Sequence, residues 1–501
     1  MPQPAHIAVD LGAESGRVVV GTLVDGKLAM HETHRFRHLP VPTPAGLCWD
    51  LTGLWREILD GLALAAQHLA ARDAEAVSVG VDTWAVDWTL LNAESTLLGP
   101  PRCYRDPVFA DAFARVTDAL PRREIYEATG IQLMPFNTLY QYESRAAAEP
   151  AAFAAGGRVL FVPDLFHWLL SGKAVVERTN ASTSQMVDVR TGDWNRELLE
   201  RLGLPVAPLT EPVDAGTPVG TLLPAVAAET GLSSLVRVVL PPSHDTASAI
   251  AAVPADPETD WCYLSSGTWS LLGAELDTPC ITDAAAQANF TNELGVGGTV
   301  RFLKNIAGLW LVQEVRRQLD RDGEAMDYPE LTRLAAEARP FRTLIPVNDP
   351  DFARPGGMPE RICAYARQTG QPVPETPGCV VRCCLESLAL EYRRTLGDLE
   401  RVLGRRFGVL HLVGGGGKNR LLNQMTADAI GRPVVVGPDE GTAMGNLLTQ
   451  AIGIGHVADL AELRRVVRAS TDLLRVEPAD ADAWEAEAGR YAGLPAVQTV
   501  A

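Results

Sequence analysis

Residues 6–36, HIAVDLGAESGRVVVGTLVDGKLAMHETHRF, set short apolar runs between turn residues, with a Gly/Ser turn after IAVD and a second turn at Asp25-Gly26. That spacing predicts three strands joined by tight turns, a β-meander. The period then changes. Leu51, Leu54, Trp55, Ile58, Leu59 and Leu62 recur at helical spacing, which predicts a helix over 51–72 with Asp50 as its N-cap. The next segment, AVSVGVDTWAVDWTLLN, reads as a buried strand, a loop and another strand.

The opening pattern returns in the second half. WCYLSSGTWSLLGAEL (261–276) is again strand, Gly/Ser turn, strand, and VLHLVGGGGKNRLLNQMTADAIGRPVVVG (409–437) follows in βαβ order. Two similar halves predict a duplicated α/β fold. A chain of 501 residues also exceeds what one core usually supports. Pro-rich connectors lie at Pro40–Pro44, Pro205–Pro218 and Pro346–Pro374, and we place the domain boundary near Pro241-Pro242. This gives domains of 1–243 and 244–501, with the last thirty or so residues packing back on the body.

Composition narrows the function classes. With 47% hydrophobic and 21% charged residues the chain matches a globular enzyme, and it contains no uncharged apolar run of about 18 residues, so no membrane partner is expected. The start, MPQPAHIAVDLG, lacks the layout of a signal peptide, and a cytoplasmic protein is expected. A net charge of −18 argues against a nucleic-acid partner, which needs clustered Lys and Arg. The eight cysteines contain no CxxC pair, and Cys379, Cys383 and Cys384 sit in an apolar helical run, so reduced thiols are expected rather than a zinc site.

Candidate chemistry gathers at the glycine turns. A Gly/Ser turn between strands exposes consecutive backbone N–H groups that bind phosphate oxygens without a positive side chain, although hairpins also use glycine only to turn. In the first turn Asp10 precedes Gly12-Ala13-Glu14-Ser15-Gly16-Arg17, which makes Asp10 a candidate for holding Mg²⁺ through water. The third turn is not a P-loop, because Leu412 and Asn419 occupy positions that need Gly and Ser or Thr. It lacks an acidic ribose partner for a dinucleotide fold, yet its glycines would let an adenine or ribose approach the backbone.

PSHDTASA (242–249) places Ser243, His244 and Asp245 side by side. Consecutive residues cannot form a hydrolase relay, whose members converge from separate segments. Asp245 is either the N-cap of the helix that follows or a base, and the two readings are compatible. Trp84 and Trp88 either cover an apolar part of a ligand or belong to the core.

These motifs resemble the FGGY family of carbohydrate kinases. VDLGAESGRV is similar to its first phosphate motif, YLSSGTWSLLG to its second and LVGGGGKNRLLNQ to its adenosine motif. GVDTWAVDWTLL, YRDP, GIQLMPFNTLYQ, TNASTSQ, NFTNELG and LKNIAGLW resemble the branch of that family that acts on L-rhamnulose, and the likeness runs from about residue 6 to 475. The resemblance implies two actin-like, ribonuclease-H-like α/β domains flanking a deep cleft, with ATP and Mg²⁺ as cofactors and a ketose as the small-molecule partner. It implies phosphorylation of L-rhamnulose at the 1-hydroxyl by a monomer or small homo-oligomer. The alternatives are a kinase for L-fuculose or L-xylulose, or a non-catalytic actin-like nucleotide-binding switch.

By the same resemblance Asp245 is the catalytic base, which needs only an ordinary low pKa. Ala85, His244, Asp245, Thr246 and Asn305 contact the sugar. Ala13, Glu14, Ser15, Gly16, Arg17, Thr268, Gln313 and Gly415 contact the nucleotide, and Asp10 lies near the metal. Three departures stand out. Ala85 replaces a glycine, and a cysteine pair of some relatives is broken by Ala366. Glu14 adds negative charge to a phosphate-facing turn, where it must face solvent or meet a cation.

Overall fold

The computed structural model describes residues 2–256 and 258–497. The predicted meander forms from the strands Gln3–Leu11, Ser15–Val24 and Lys27–Arg37, paired antiparallel in sequence. Ala74–Thr83 then lies parallel to Gln3–Leu11 on its other side, Arg237–Val239 follows in parallel, and Pro218–Thr221 closes the edge antiparallel. With that edge strand left aside, the other five strands of this sheet, numbered in chain order, therefore run third, second, first, fourth, fifth across it.

The second sheet repeats that order. Val300–Ala307, Trp269–Leu276, Trp261–Ser266, Val409–Val413 and Val434–Val436 lie side by side, with Leu474–Val476 antiparallel at the far edge and Thr291–Leu294 added at the near one. The βαβ reading of the third glycine turn holds, since Leu410 is register partner to Val434 and the helix Arg420–Ile430 lies between them. The duplication visible in the sequence is thus a duplication of sheet topology.

The chain forms two compact units. One comprises Met1–Pro254, Glu275–Phe302 and Gly441–Thr471, and the other Ala255–Ala274, Leu303–Glu440 and Asp472–Ala501. In the first unit the opening strand is buried on both faces. Ile7, Val9 and Leu11 pack toward Leu54, Ile58 and Leu62 of the helix Leu51–Ala70, which Asp50 caps by accepting from the Gly53 N–H at 2.9 Å. Ala8, on the opposite face, packs with Met444, Leu447 and Leu448 of the helix Gly441–Gly453. Because side chains alternate along a strand, Asp10 shares the face of Ala8. That face carries the polar site.

All eight cysteines are free thiols, and Cys383 and Cys384 are buried in the helix Pro377–Leu403. Among the described residues no helix is long and apolar enough to cross a membrane.

Candidate active site

Three strand ends in the first unit bring three carboxylates together. Asp10 and Asp82 are register partners on parallel strands. Beyond Arg237–Val239 the chain continues alongside Ala74–Thr83, where the Thr83 N–H donates to Ser243 O at 2.9 Å and Thr83 bridges His244 in parallel. Asp245 follows at once. Ligands of α/β sheets sit at such carboxyl ends of strands. The pressure of like charges is visible at Asp82, which burial, Asp10 and Asp245 push well above the usual carboxylate range against a hydrogen bond from Asn446. Its Oδ1 is buried with no hydrogen-bond partner. Sequence reading missed Asp82, because only the strand register brings it beside Asp10.

Asp245 is the first residue of the helix Asp245–Ala251, and the N-cap position falls to His244, which makes no side-chain cap bond. The Asp245 carboxylate instead accepts from the Thr246 N–H at 2.6 Å and Thr246 Oγ1 at 3.2 Å. Its side chain keeps 30% exposure. Burial raises its pKa, with Asp10 adding to the rise and His244 and Thr246 opposing it. This corrects the expectation of an ordinary low value, because burial of the carboxylate outweighs His244 and the Thr246 donors. A carboxylate with a raised pKa accepts a proton more readily.

His244 links this carboxylate to a buried ion pair. Its Nε2 lies 3.4 Å from Asp245 Oδ1 and its Nδ1 3.5 Å from Glu293 Oε2, while Arg301 Nη1 reaches Glu293 Oε2 at 2.9 Å. Burial alone would raise Glu293, but Arg301 and His244 more than offset it and hold it below its ordinary value. Ser243 is no nucleophile. Its N–H and Oγ both donate to the buried Glu177 carboxylate, at 3.1 and 2.8 Å, which pins the loop ahead of Asp245.

At the first glycine turn the Gly12 N–H donates to Ser15 O at 3.0 Å, so Ala13 and Glu14 form the tip and Gly16 and Arg17 enter the second strand. A side chain at Gly16 would run into Phe36 and Leu11. Arg17 donates to Asp10 Oδ2 through Nε at 2.9 Å and Nη2 at 2.6 Å, tying the turn to the carboxylate cluster. Glu14 faces Arg105 at 3.8 Å, with both side chains partly exposed.

The second unit holds the other nucleotide candidates. The turn after Trp261–Ser266 is fixed where the Leu309 N–H donates to Gly267 O and the Trp310 N–H to Thr268 O, at 3.0 and 3.1 Å. Gln313 Nε2 donates to Thr268 Oγ1 at 3.3 Å, and Gln313 Oε1 is buried without a partner. Asn305 lies half-buried on the strand Val300–Ala307. In the glycine run a Cβ on Gly416 would come within 2.0 Å of Ser266 Oγ, whereas one on Gly415 would meet nothing within 4 Å. Gly415 therefore faces open space, and Gly416 is glycine for packing.

Ala85 is the one residue of 81–91 that is not buried. Trp88 packs on Tyr142 and Phe153 in the core, and Trp84 lies against Trp49 with ring centroids 4.0 Å apart. Both tryptophans are buried, at 5% exposure for Trp84 and 3% for Trp88.

Among the described residues no three His, Cys, Asp or Glu side chains are grouped to chelate a metal ion. The carboxylate cluster with an orphaned Asp82 oxygen fits a hydrated divalent cation bound through water, the habit of Mg²⁺.

Comparison with known proteins agrees with this geometry. Residues 5–251 match the N-terminal domain, and residues 262–454 the C-terminal domain, of the FGGY family of carbohydrate kinases. The rhamnulokinase of Bacteroides thetaiotaomicron is 44% identical over 479 residues, covering 96% of this chain and 97% of that protein. That of Bacillus subtilis is 40% identical over 482 residues, covering 95% and 96%. In fold, the ligand-bound xylulose kinase of Lactobacillus acidophilus superposes with a TM-score of 0.80 at 15% identity, covering 98% of this chain and 97% of that one. The ADP-bound glycerol kinase of Plasmodium falciparum superposes at 0.77 and 13% identity, covering 99% of each. With both domains matched and relatives this similar along nearly the whole chain, the protein belongs to the FGGY family of carbohydrate kinases.

Proposed function

We propose that the chain transfers the γ-phosphoryl group of ATP to the 1-hydroxyl of L-rhamnulose, giving L-rhamnulose 1-phosphate and ADP. The substrate follows from the name shared by its relatives of 37–44% identity. The observation that carries the chemistry is the convergence of Asp10, Asp82 and Asp245 at adjacent strand ends, beside a glycine turn that Arg17 ties to Asp10.

Phosphoryl transfer needs an oriented hydroxyl, a base and charge stabilisation. Asp245 accepts the O1 proton as that oxygen bonds to the γ-phosphorus and the bond to the ADP oxygen breaks. His244, fixed by Glu293 and Arg301, holds the base and meets the sugar together with Thr246. The backbone N–H groups of Ala13 to Gly16 take phosphate oxygens, while Thr268, Gln313 and Gly415 receive the nucleoside. Asp10 and Asp82 would hold Mg²⁺ through water, and the ion would supply charge neutralisation at the phosphates. Catalysis in the cytoplasm, as a monomer or small homo-oligomer, completes the reading.

Coupled ADP-release assays across L-rhamnulose, L-fuculose, L-xylulose, D-xylulose and glycerol test the substrate. L-Rhamnulose is expected to give the highest kcat/KM, and preference for another sugar would sink the assignment. Asp245→Asn is expected to bind sugar and ATP yet lose about 10²–10⁴ in kcat. Wild-type turnover in that variant removes Asp245 as the base.

A further inference from the structure

Between Asp82 and the core strand Trp88–Leu91 the backbone does something a β-branched residue resists. Val86 has φ of 69°, in the left-handed region, and the Asp87 N–H donates back to Ala85 O at 3.0 Å. A residue closed by such a two-residue bond at positive φ forms the rare, strained γ-turn. For valine this is a genuine outlier, and strain of this kind persists only where its surroundings over-determine it.

The surroundings are built on Asp87. Its carboxylate is buried and takes four donors: Trp49 Nε1 at 2.6 Å, Trp84 Nε1 at 3.0 Å and the Tyr104 N–H at 3.2 Å on Oδ2, and Gln141 Nε2 at 3.0 Å on Oδ1. Thr138 Oγ1 donates to Val86 O at 2.7 Å, fixing the other side of the turn. Burial raises Asp87 to about 7 even with these donors. A carboxyl group this costly to bury, and not itself the proposed base, needs another use. What the turn accomplishes is to leave Ala85 alone partly exposed within a buried stretch.

We propose that Asp87 is a positioning residue, whose bonds to the Trp49 and Trp84 indoles hold Val86 in the strained turn and so present the Ala85 backbone to the ketose. This rests on the sugar-kinase reading for its ligand, but the clamp itself is a property of the free chain. Glycine adopts positive φ without strain, so Val86→Gly keeps the turn when the clamp is gone.

Two measurements on the full chain separate the parts. Without ligand, amide exchange at Val86 and Asp87 is expected to quicken about tenfold in Asp87→Asn and to return to the wild-type rate in Asp87→Asn with Val86→Gly. Unchanged exchange in Asp87→Asn overturns the clamp. In turnover, Asp87→Asn is expected to raise KM for L-rhamnulose about tenfold with KM for ATP unchanged, and the double variant to restore it. Equal shifts in both KM values, or no restoration, overturn the positioning role. Trp49→Phe keeps the ring and removes one donor, and it gives the same signs if Asp87→Asn fails to fold. A wild-type chain that phosphorylates no ketose sinks the kinase reading and leaves the exchange rates to decide the clamp.

Discussion

Asp10 and Asp82 stand opposite each other on neighbouring parallel strands and leave the sheet on the same face. Asp82 bears the strain of this arrangement, since burial comes first and Asp10 second among the causes that raise its pKa. A carboxylate raised in the folded state adds stability below its unfolded pKa, and that contribution is lost as pH rises through the folded value. Asp82→Asn removes the penalty while keeping an acceptor for Asn446. At neutral pH the variant is expected to unfold at higher temperature than the wild type, with the gap closing below about pH 4, and to lose at least about tenfold in kcat. Thermal unfolding at both pH values, paired with ADP release, checks it. A stable variant with full activity would show that Asp82 is only packing.

Neighbouring glycines of the third turn separate packing from ligand contact. Gly416→Ala forces a methyl group against Ser266 and is expected to cost about 1–3 kcal/mol of stability. Gly415→Ala meets open space and is expected to leave stability within about 0.5 kcal/mol while raising KM for ATP severalfold. Denaturant titration and initial-rate kinetics on the two variants distinguish them. Unchanged KM for ATP in Gly415→Ala would place the nucleotide elsewhere.

Glu14 puts a negative charge at the tip of the first glycine turn, the turn proposed to hold phosphate, and Arg105 at 3.8 Å offsets it only in part, because both side chains are partly exposed. Glu14→Gln is expected to lower KM for ATP about two- to threefold at low ionic strength. Arg105→Gln is expected to raise it by a similar factor. Both effects shrink as salt approaches about 1 M, where the Debye length falls to about 3 Å. KM for ATP across a salt series reads this directly, and salt-independent shifts would contradict a charge effect.

The strand-turn-strand openings were legible in the sequence because each is local: the turn residues and the period-two runs lie within twenty residues. The capped helix from Leu51 was legible for the same reason. Asp82 and the Glu293–Arg301 pair were not, although their segments stood out. Their meaning lies in register and in contacts between distant segments: Asp82 gains its role from pairing with residue 10, and Glu293 from Arg301 and His244. Trp84 and Trp88 look alike in sequence and both are core residues, and only the structure shows that Trp84 also donates to Asp87. The helix Gly441–Gly453 follows the second unit's last parallel strand yet packs on the opening strand, which no local pattern signals.

His167 offers a pH test independent of catalysis. It is buried beneath the strand that bears Asp82, and its Nε2 accepts the Val81 N–H at 2.9 Å, a bond only the neutral ring can make. Burial lowers its pKa from 6.5 to about 3. A histidine depressed in this way contributes stability above its unfolded pKa and loses it as pH falls toward the folded value, because the unfolded chain takes up a proton that the folded chain refuses. Between about pH 6 and pH 4 this one group is expected to cost up to about 1.4 kcal/mol per pH unit. His167→Gln retains an acceptor for Val81 without a titrating ring, so its stability is expected to fall less steeply over that interval. Denaturant midpoints at pH 7, 5.5 and 4 measure the difference, which should grow in favour of the variant as pH falls. A constant gap at all three pH values would mean that His167 is not held neutral by its burial.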